Sequence, residues 1–120
     1  MVTNKDWIKL ANLIGAKEYA KAVIKVNSLL PLTQDKTTLL IVKLHCCSLL
    51  YRNIAISRCL DELKKISPNN DIIKDYEVNP KHPLLTAFIQ SFVEFNLNPV
   101  NDKEKLDELL HLLTYKRITK

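Results

Sequence analysis

The side chains best suited to catalysis in this chain are three cysteines and three histidines, of which His45, Cys46 and Cys47 are consecutive. A cysteine thiolate beside a histidine can act as a nucleophile with its base. Consecutive residues of a helix, however, point about 100° apart and do not face each other. We therefore expect no catalytic residues and predict a non-enzymatic protein. An enzyme whose site carries no recognisable motif is a further alternative.

The sequence lacks the residue patterns that metal and cofactor sites need. No Cys-x-x-Cys pair occurs, and His82 and His111 lie far from His45 and from each other, so no set of zinc ligands has a suitable spacing. A phosphate-binding loop needs several glycines, whereas this chain has one, Gly15. We expect no metal site and no cofactor.

The cysteines and the hydropathy pattern also indicate the cellular compartment of the protein. Three cysteines give no disulfide framework, which is typical of a reducing compartment. The N-terminal residues lack the apolar core of a signal peptide, and no apolar run approaches the roughly 20 residues that span a bilayer. The sequence therefore predicts a cytoplasmic or nuclear protein without a membrane span.

Positive charge is concentrated in the first half of the chain. The sequence has 18 Lys and Arg against 13 Asp and Glu, for a net charge of +5. Residues 1–60 hold nine cations and three anions, whereas residues 61–120 hold nine and ten. A basic half of this kind attracts an acidic protein surface, RNA or anionic lipid. Simple solvation of helices by lysine is the ordinary alternative.

Three lysines, Lys17, Lys21 and Lys25, recur at every fourth residue and predict a basic ridge on one helix face. Such a ridge suits an acidic peptide or a nucleic-acid backbone. Only three of the cations are arginine, which disfavours bidentate recognition of bases, and no aromatic residue interleaves with the ridge to stack them. We predict an acidic segment of another protein as the partner, with nucleic acid as the alternative.

Breaker residues and apolar spacing divide the chain into helices, and no strand pattern occurs. The predicted helices cover about residues 4–14, 17–30, 35–51, 53–66, 83–96 and 101–116, with one short helical turn within 70–81. The third helix is apolar on nearly every side, so we expect it at the centre of an all-α domain. Gly15 is expected to end the first helix.

The second and fourth predicted helices share one apolar pattern. The matching residues, each 37 positions apart, are Tyr19 and Ile56, Ala22 and Cys59, and Pro31 and Pro68. A period in this range, built from antiparallel helix pairs, is typical of an α-solenoid. We predict that Ala22 and Cys59 are buried at equivalent helix crossings of two stacked pairs.

Residues 15–23 resemble a tetratricopeptide repeat in their glycine, tyrosine, alanine and following aliphatic residue, the order at that family's turn into its second helix. Cys47 and Cys59 stand where that family places small residues, whereas the period of 37 departs from its 34. The resemblance implies one domain, residues 1–120, with about six helices stacked as a short right-handed α-solenoid. Its helix pairs would be residues 4–30, 35–66 and 83–116. An irregular helical bundle is the alternative fold.

Solenoids of this kind hold partners on a concave face, which implies an adaptor or scaffold subunit of a larger complex or a homo-oligomer. The predicted third and fifth helices would form that face, with Thr37 and Gln90 among its polar residues. Trp7 lies off the main apolar stripe and Phe92 lies in a Phe-rich helix, so both are expected to contact a partner. The candidate partner-binding residues are Lys17, Lys21, Lys25, Lys36, Lys43, Trp7 and Phe92.

Overall fold

The computed structural model describes residues 1–97, which form six α-helices and one 3-10 turn, with no β-strand in that range. The elements are α1 (Asn4–Gly15), α2 (Tyr19–Leu29), the 3-10 turn (Leu30–Leu32), α3 (Thr37–Leu49), α4 (Asn53–Ile66), α5 (Asp71–Val78) and α6 (Pro83–Leu97). The all-α class is confirmed for these residues. None of these six helices is long and apolar enough to cross a bilayer.

Residues 70–81 were predicted to hold one short helical turn. The structure instead has an eight-residue helix there, α5. The Asn70 side chain accepts a hydrogen bond from the Ile72 N–H at 2.9 Å, which caps α5 at its start. The predicted helix over 101–116, and with it half of the third predicted pair, lies outside the described residues. The six helices of the described residues therefore include α5, and the predicted helix over 101–116 is not among them.

Helix α3 lies at the centre of the bundle, as its sequence predicts. Its buried residues are Leu39, Leu40, Ile41, Val42, Leu44, Cys46 and Cys47. Helices α2, α4 and α6 all pack against it. A helix with apolar residues on nearly every side needs several neighbours to remove them from water, and these three helices provide that cover.

Helix α6 packs against α1 as well as α3 and α5, so the first helix contacts the last described one. Trp7 on α1 and Phe92 on α6 meet edge to face, with ring centroids 5.9 Å apart. In an open solenoid each repeat contacts only its neighbours. The solenoid arrangement therefore stays a prediction, and the observed architecture is a six-helix bundle around α3.

The turn between α1 and α2 is a Schellman motif, a pair of backbone hydrogen bonds that ends a helix. The Glu18 N–H donates to the Leu13 carbonyl at 2.8 Å, and the Lys17 N–H donates to the Ile14 carbonyl at 3.0 Å. Lys17 takes the left-handed backbone conformation that this motif requires, with φ 60°. Gly15 is the last residue of α1, as predicted, but it does not supply the positive φ of the turn.

The same turn recurs 34 residues later, between α3 and α4. Here the Arg52 N–H donates to the Cys47 carbonyl at 3.0 Å, the Tyr51 N–H donates to the Ser48 carbonyl at 3.3 Å, and Tyr51 has φ 56°. The backbone period is thus 34 residues, whereas the apolar side-chain pattern has a period of 37. A shift of three residues is just under one turn of an α-helix. Residues of α2 and α4 that are matched by either period therefore lie on nearly the same helix face.

Ala22 and Cys59 are both buried, as predicted. The Cys59 thiol donates a hydrogen bond to the Leu40 carbonyl at 3.0 Å, which ties α4 to α3. Ala22 has no exposed surface, and protein interiors are close-packed, so a larger side chain at this position should displace its neighbours. The equivalence of the two crossings stays a prediction.

The substitution Ala22→Leu should lower the free energy of unfolding by roughly 1–3 kcal/mol, because the added atoms overpack the contact of α2 with its neighbours. Urea unfolding followed by circular dichroism measures the change. Ala20→Leu on the exposed side of the same helix adds the same atoms without this effect. Equal stability of the two variants would contradict the close packing at Ala22.

The substitution Lys17→Gly should raise the free energy of unfolding by about 0.5–1 kcal/mol, because relief of the left-handed strain outweighs the chain entropy that glycine adds. Lys17→Ala removes the same charge and keeps the strain, so it is the matched control. Thermal unfolding of the three proteins measures the difference. A glycine variant no more stable than the alanine variant would show that the turn is unstrained.

Candidate partner-binding surface

The basic ridge of Lys17, Lys21 and Lys25 is partly neutralised within the chain itself. Lys21 Nζ lies 3.2 Å from a Glu18 carboxylate oxygen, and Lys25 Nζ lies 3.0 Å from Asp6 Oδ1. Only Lys17 of the three has no carboxylate partner within residues 1–97. The ridge therefore exerts less attraction on an acidic partner than three free lysines would.

The Lys25 ion pair also joins α2 to the start of α1. Asp6 and Thr3 form a capping box, in which Asp6 Oδ2 accepts the Thr3 N–H at 2.9 Å and Thr3 Oγ1 accepts the Asp6 N–H at 3.3 Å. These bonds favour the ionised carboxylate. The Thr3 backbone hydrogen bond and the Lys25 ammonium together lower the pKa of Asp6 to about 2. Lys25 thus has a structural partner in the folded chain.

Trp7 and Phe92, two of the predicted partner contacts, are half-buried and contact each other across α1 and α6. Trp7 also lines a small cleft of about 360 Å³ beside the 3-10 turn. Phe95 on α6 is more accessible than either ring, with 54% of its surface exposed. The two aromatic rings therefore help to close the bundle, and their role in partner binding stays a prediction.

Lys36 is the N-cap residue of α3, Lys43 lies about two turns further along that helix, and both are half-buried. Asp35 Oδ1 accepts a hydrogen bond from the Thr37 N–H at 3.2 Å at the start of that helix. The other polar candidate, Gln90, is exposed on α6. Of these residues, Lys43 lines a cleft that is larger than the one at Trp7.

The larger cleft lies between α3 and the beginning of α4 and has a volume of about 790 Å³; we call it the α3–α4 cleft. Its lining residues are Lys43, Arg52, Asn53, Ile54, Ala55, Arg58 and Glu62. Three cations and one anion thus surround it, together with apolar side chains. It has the composition of a binding surface for an anionic group beside an apolar one.

The Schellman turn brings these residues together. The left-handed conformation at Tyr51 reverses the chain, so that Arg52 and the first turn of α4 return alongside α3 and Lys43. Ile54 and Arg58 are four residues apart on α4 and lie on the same face of the helix. The cleft is therefore built by one helix pair and does not depend on the rest of the bundle for its lining.

The electrostatic field in the α3–α4 cleft is positive. Lys43, Arg52 and Arg58 form no ion pair with a carboxylate of residues 1–97. The start of α4 adds to the field, because no side chain caps it and its first turn holds no acidic residue. Burial raises the pKa of the neighbouring Cys47 thiol, and the charges of Lys43 and Arg52 oppose that rise.

Large apolar side chains are exposed at the same corner of the molecule. Ile54 is 73% exposed and lines the cleft. Leu49, the last residue of α3, is 45% exposed, and Tyr51 in the turn that follows is 85% exposed. Single exposed apolar residues are ordinary on protein surfaces. Three exposed apolar residues within six positions, next to unpaired cations, are less ordinary and indicate an interaction surface.

Arg52, Arg58 and Ile54 were not predicted as site residues. The spacing of Ile54 and Arg58 on one helix face is visible in the sequence, and that signal could have identified them. Their proximity to Lys43 is not visible there, because it depends on how the α3–α4 turn reverses the chain. The predicted set therefore contains only Lys43 from this cleft.

The cysteines are buried free thiols. Burial raises the pKa of Cys46 to about 12 and that of Cys59 to about 12. Thiols with such pKa values stay protonated at neutral pH and are poor nucleophiles. They contribute to the core of α3 and α4 as small apolar side chains.

The described histidines are packed against aromatic rings. The His45 ring lies edge to face with Tyr19 at 5.8 Å between centroids, and burial lowers the pKa of His45. His82 stacks on Tyr76 with centroids 4.0 Å apart. Within residues 1–97, no three His, Cys, Asp or Glu side chains lie together as metal ligands.

Comparison with known proteins provides no relative from which a function could be transferred. The chain matches no protein-family model, no curated protein and no solved structure.

The capping box of Asp6 predicts a specific pH dependence. The pKa of this carboxyl is lower in the folded chain than in the unfolded one, so its ionised form stabilises the fold above about pH 4. This contribution is lost as the pH falls from about 4 to about 2. Wild type should therefore be more stable than Asp6→Asn at pH 6, and the difference should shrink toward pH 2.

Urea unfolding at pH 6, 4, 3 and 2 measures this difference between the two proteins. Lys25→Met removes the ammonium and leaves the Thr3 bonds in place, so it should reduce the pH-dependent difference only in part. A difference that is constant over the whole range would show that Asp6 gains nothing from its hydrogen bonds.

Proposed function

We propose that this chain is a non-enzymatic adaptor or scaffold subunit that binds another protein at the α3–α4 cleft. The observation that supports this proposal is the unpaired cation set of Lys43, Arg52 and Arg58 around an exposed Ile54. Arginine beside large apolar side chains is characteristic of the energetically important part of protein–protein interfaces. An exposed ion pair alone contributes only about 0–1 kcal/mol, so the apolar component matters for affinity.

A tetratricopeptide-like stack of two helix pairs, α1–α2 and α3–α4, is the architecture that we propose for this role. The 34-residue recurrence of the Schellman turn supports it, because that family has the same period. The packing of α2 on α3 is the contact that two successive pairs would share. The contact of α6 with α1 makes the stack more closed than a long right-handed solenoid.

The buried thiols support both the non-enzymatic role and the proposed location. Cys46, Cys47 and Cys59 are free, inaccessible and protonated at neutral pH, so they offer no nucleophile to a substrate. Free cysteines in the core also fit a reducing compartment, the cytoplasm or the nucleus.

Nucleic-acid binding is the second candidate function, and the exposed Tyr51 beside Arg52 favours it. An aromatic ring next to a guanidinium can stack a base while the charge binds a phosphate. Glu62 in the same cleft opposes this alternative, because a continuous phosphate backbone along α4 would pass its carboxylate. The protein-binding proposal accommodates both the apolar residues and the mixed charges.

Affinity purification of the tagged full chain from two portions of one lysate, one treated with nuclease and one untreated, tests the proposal. An adaptor should retain a stoichiometric protein partner both at 0.15 M salt and at about 0.3 M salt, because apolar contacts are not screened. A nucleic-acid binder making several phosphate contacts should lose affinity by orders of magnitude over a similar range of salt. Purification of the chain with nucleic acid and without a protein partner would overturn the adaptor role.

A further inference from the structure

We infer that the α3–α4 cleft binds an acidic protein segment that carries an apolar side chain among its carboxylates. Arg52, Arg58 and Lys43 bind the carboxylates, and Ile54 contacts the apolar side chain. This inference rests on the proposed adaptor function and narrows the class of partner.

Arginine is concentrated at this cleft. The chain has 15 lysines and three arginines. The two arginines within residues 1–97, Arg52 and Arg58, both line the cleft. The planar guanidinium binds a carboxylate through two parallel hydrogen bonds, which an ammonium cannot do. The residues that bind carboxylates best are therefore concentrated at one place in the described fold.

The cations of the cleft form no ion pair within residues 1–97. Of the eleven lysines in that range, Lys21, Lys25 and Lys64 are paired with carboxylates at 3.0–3.2 Å, and the other eight, Lys43 among them, are not. Glu62 lines the α3–α4 cleft but lies more than 4 Å from its cationic nitrogens, so it forms no such pair. Three positive charges around one cleft against one carboxylate leave a net positive site, which favours an anionic occupant.

The apolar residues decide between a protein segment and a free anion. Ile54 lies between Arg52 and Arg58 in sequence and remains 73% exposed in the folded chain. A phosphate or a single carboxylate would leave this side chain in water, whereas a peptide with a leucine or phenylalanine beside its acidic residues would cover it. Burial of that side chain contributes affinity that the exposed charges lack.

The α3–α4 cleft is an open surface groove with a volume of about 790 Å³. Such a site can take a few neighbouring side chains of one peptide. Leu49 at the end of α3 and Tyr51 in the adjoining turn add exposed apolar surface next to the cleft for a longer segment.

A peptide-display selection tests the inference without knowledge of the natural partner. Random 12-residue peptides on phage are selected against the folded full chain at 0.15 M salt, and the most enriched sequences are synthesised for affinity measurement. We expect enrichment of Asp or Glu together with Leu, Ile or Phe. The double variant Arg52→Gln/Arg58→Gln should weaken binding of these peptides about tenfold or more, because it removes both guanidiniums.

Two further variants separate the components of the site. Ile54→Ser should also weaken binding several-fold, because it removes the apolar contact and leaves the charges. Lys65→Gln/Lys74→Gln removes two positive charges from exposed positions of α4 and α5 outside the cleft and should change affinity less than about twofold. All three sets of residues are exposed, and circular dichroism with thermal unfolding verifies that each variant is folded.

Several results would overturn the inference. Selection of peptides without acidic residues would do so. Equal affinity of the selected peptides for wild type and for the arginine variant would also do so. So would an equal loss of peptide affinity in the arginine variant and in the lysine control variant. A 20-nucleotide oligouridine that binds more tightly than any selected peptide, and depends on Arg52 and Arg58, would assign the cleft to nucleic acid.

Failure of the adaptor role is distinguishable from failure of this inference. A native partner that the wild-type chain and the arginine variant capture equally would refute the site and leave the adaptor role intact. Arginine-dependent selection of acidic peptides, together with no captured partner, would support the chemistry of the cleft and refute the adaptor role.

Discussion

The burial of α3 is the constraint on which the rest of this structure depends. Its apolar residues point in nearly every direction, and each Leu or Ile that leaves water contributes roughly 1.5–3 kcal/mol. Helices α2, α4 and α6 have to surround it to obtain that free energy. The chain must therefore reverse sharply at the C-terminal end of α3, and it does so at Tyr51 in a backbone conformation that costs free energy for a residue with a side chain.

The candidate site is a consequence of that reversal. Once α4 lies against α3, the first residues of α4 stand beside Lys43, and the hydrogen bond from the Cys59 thiol to the Leu40 carbonyl ties the two helices together. The core residues of this helix pair and its surface cations thus belong to one structural unit. A partner that binds the cleft would contact α4 and the central helix α3.

The sequence predicted more of the fold than of the surface. The helical spacing located α1 to α4 and α6 within a few residues, because helix formation depends mainly on neighbours three and four positions apart. It underestimated α5, whose Asn70 cap is a single local hydrogen bond, and it treated Lys21 and Lys25 as free charges. The partner of Lys25, Asp6, lies 19 residues away on another helix, and apolar spacing carries no signal for such a pair.

The sequence alone determined that the described chain is all-helical, that α3 lies at its centre, and that Ala22 and Cys59 are buried. These properties follow from apolar residues at helical spacing and from the requirement to remove them from water. Only the tertiary structure decided that α6 closes on α1 and that Arg52 and Arg58 share a cleft with Lys43. Contacts of this kind join residues that are distant in sequence, and they are determined by the direction in which each turn sends the next helix.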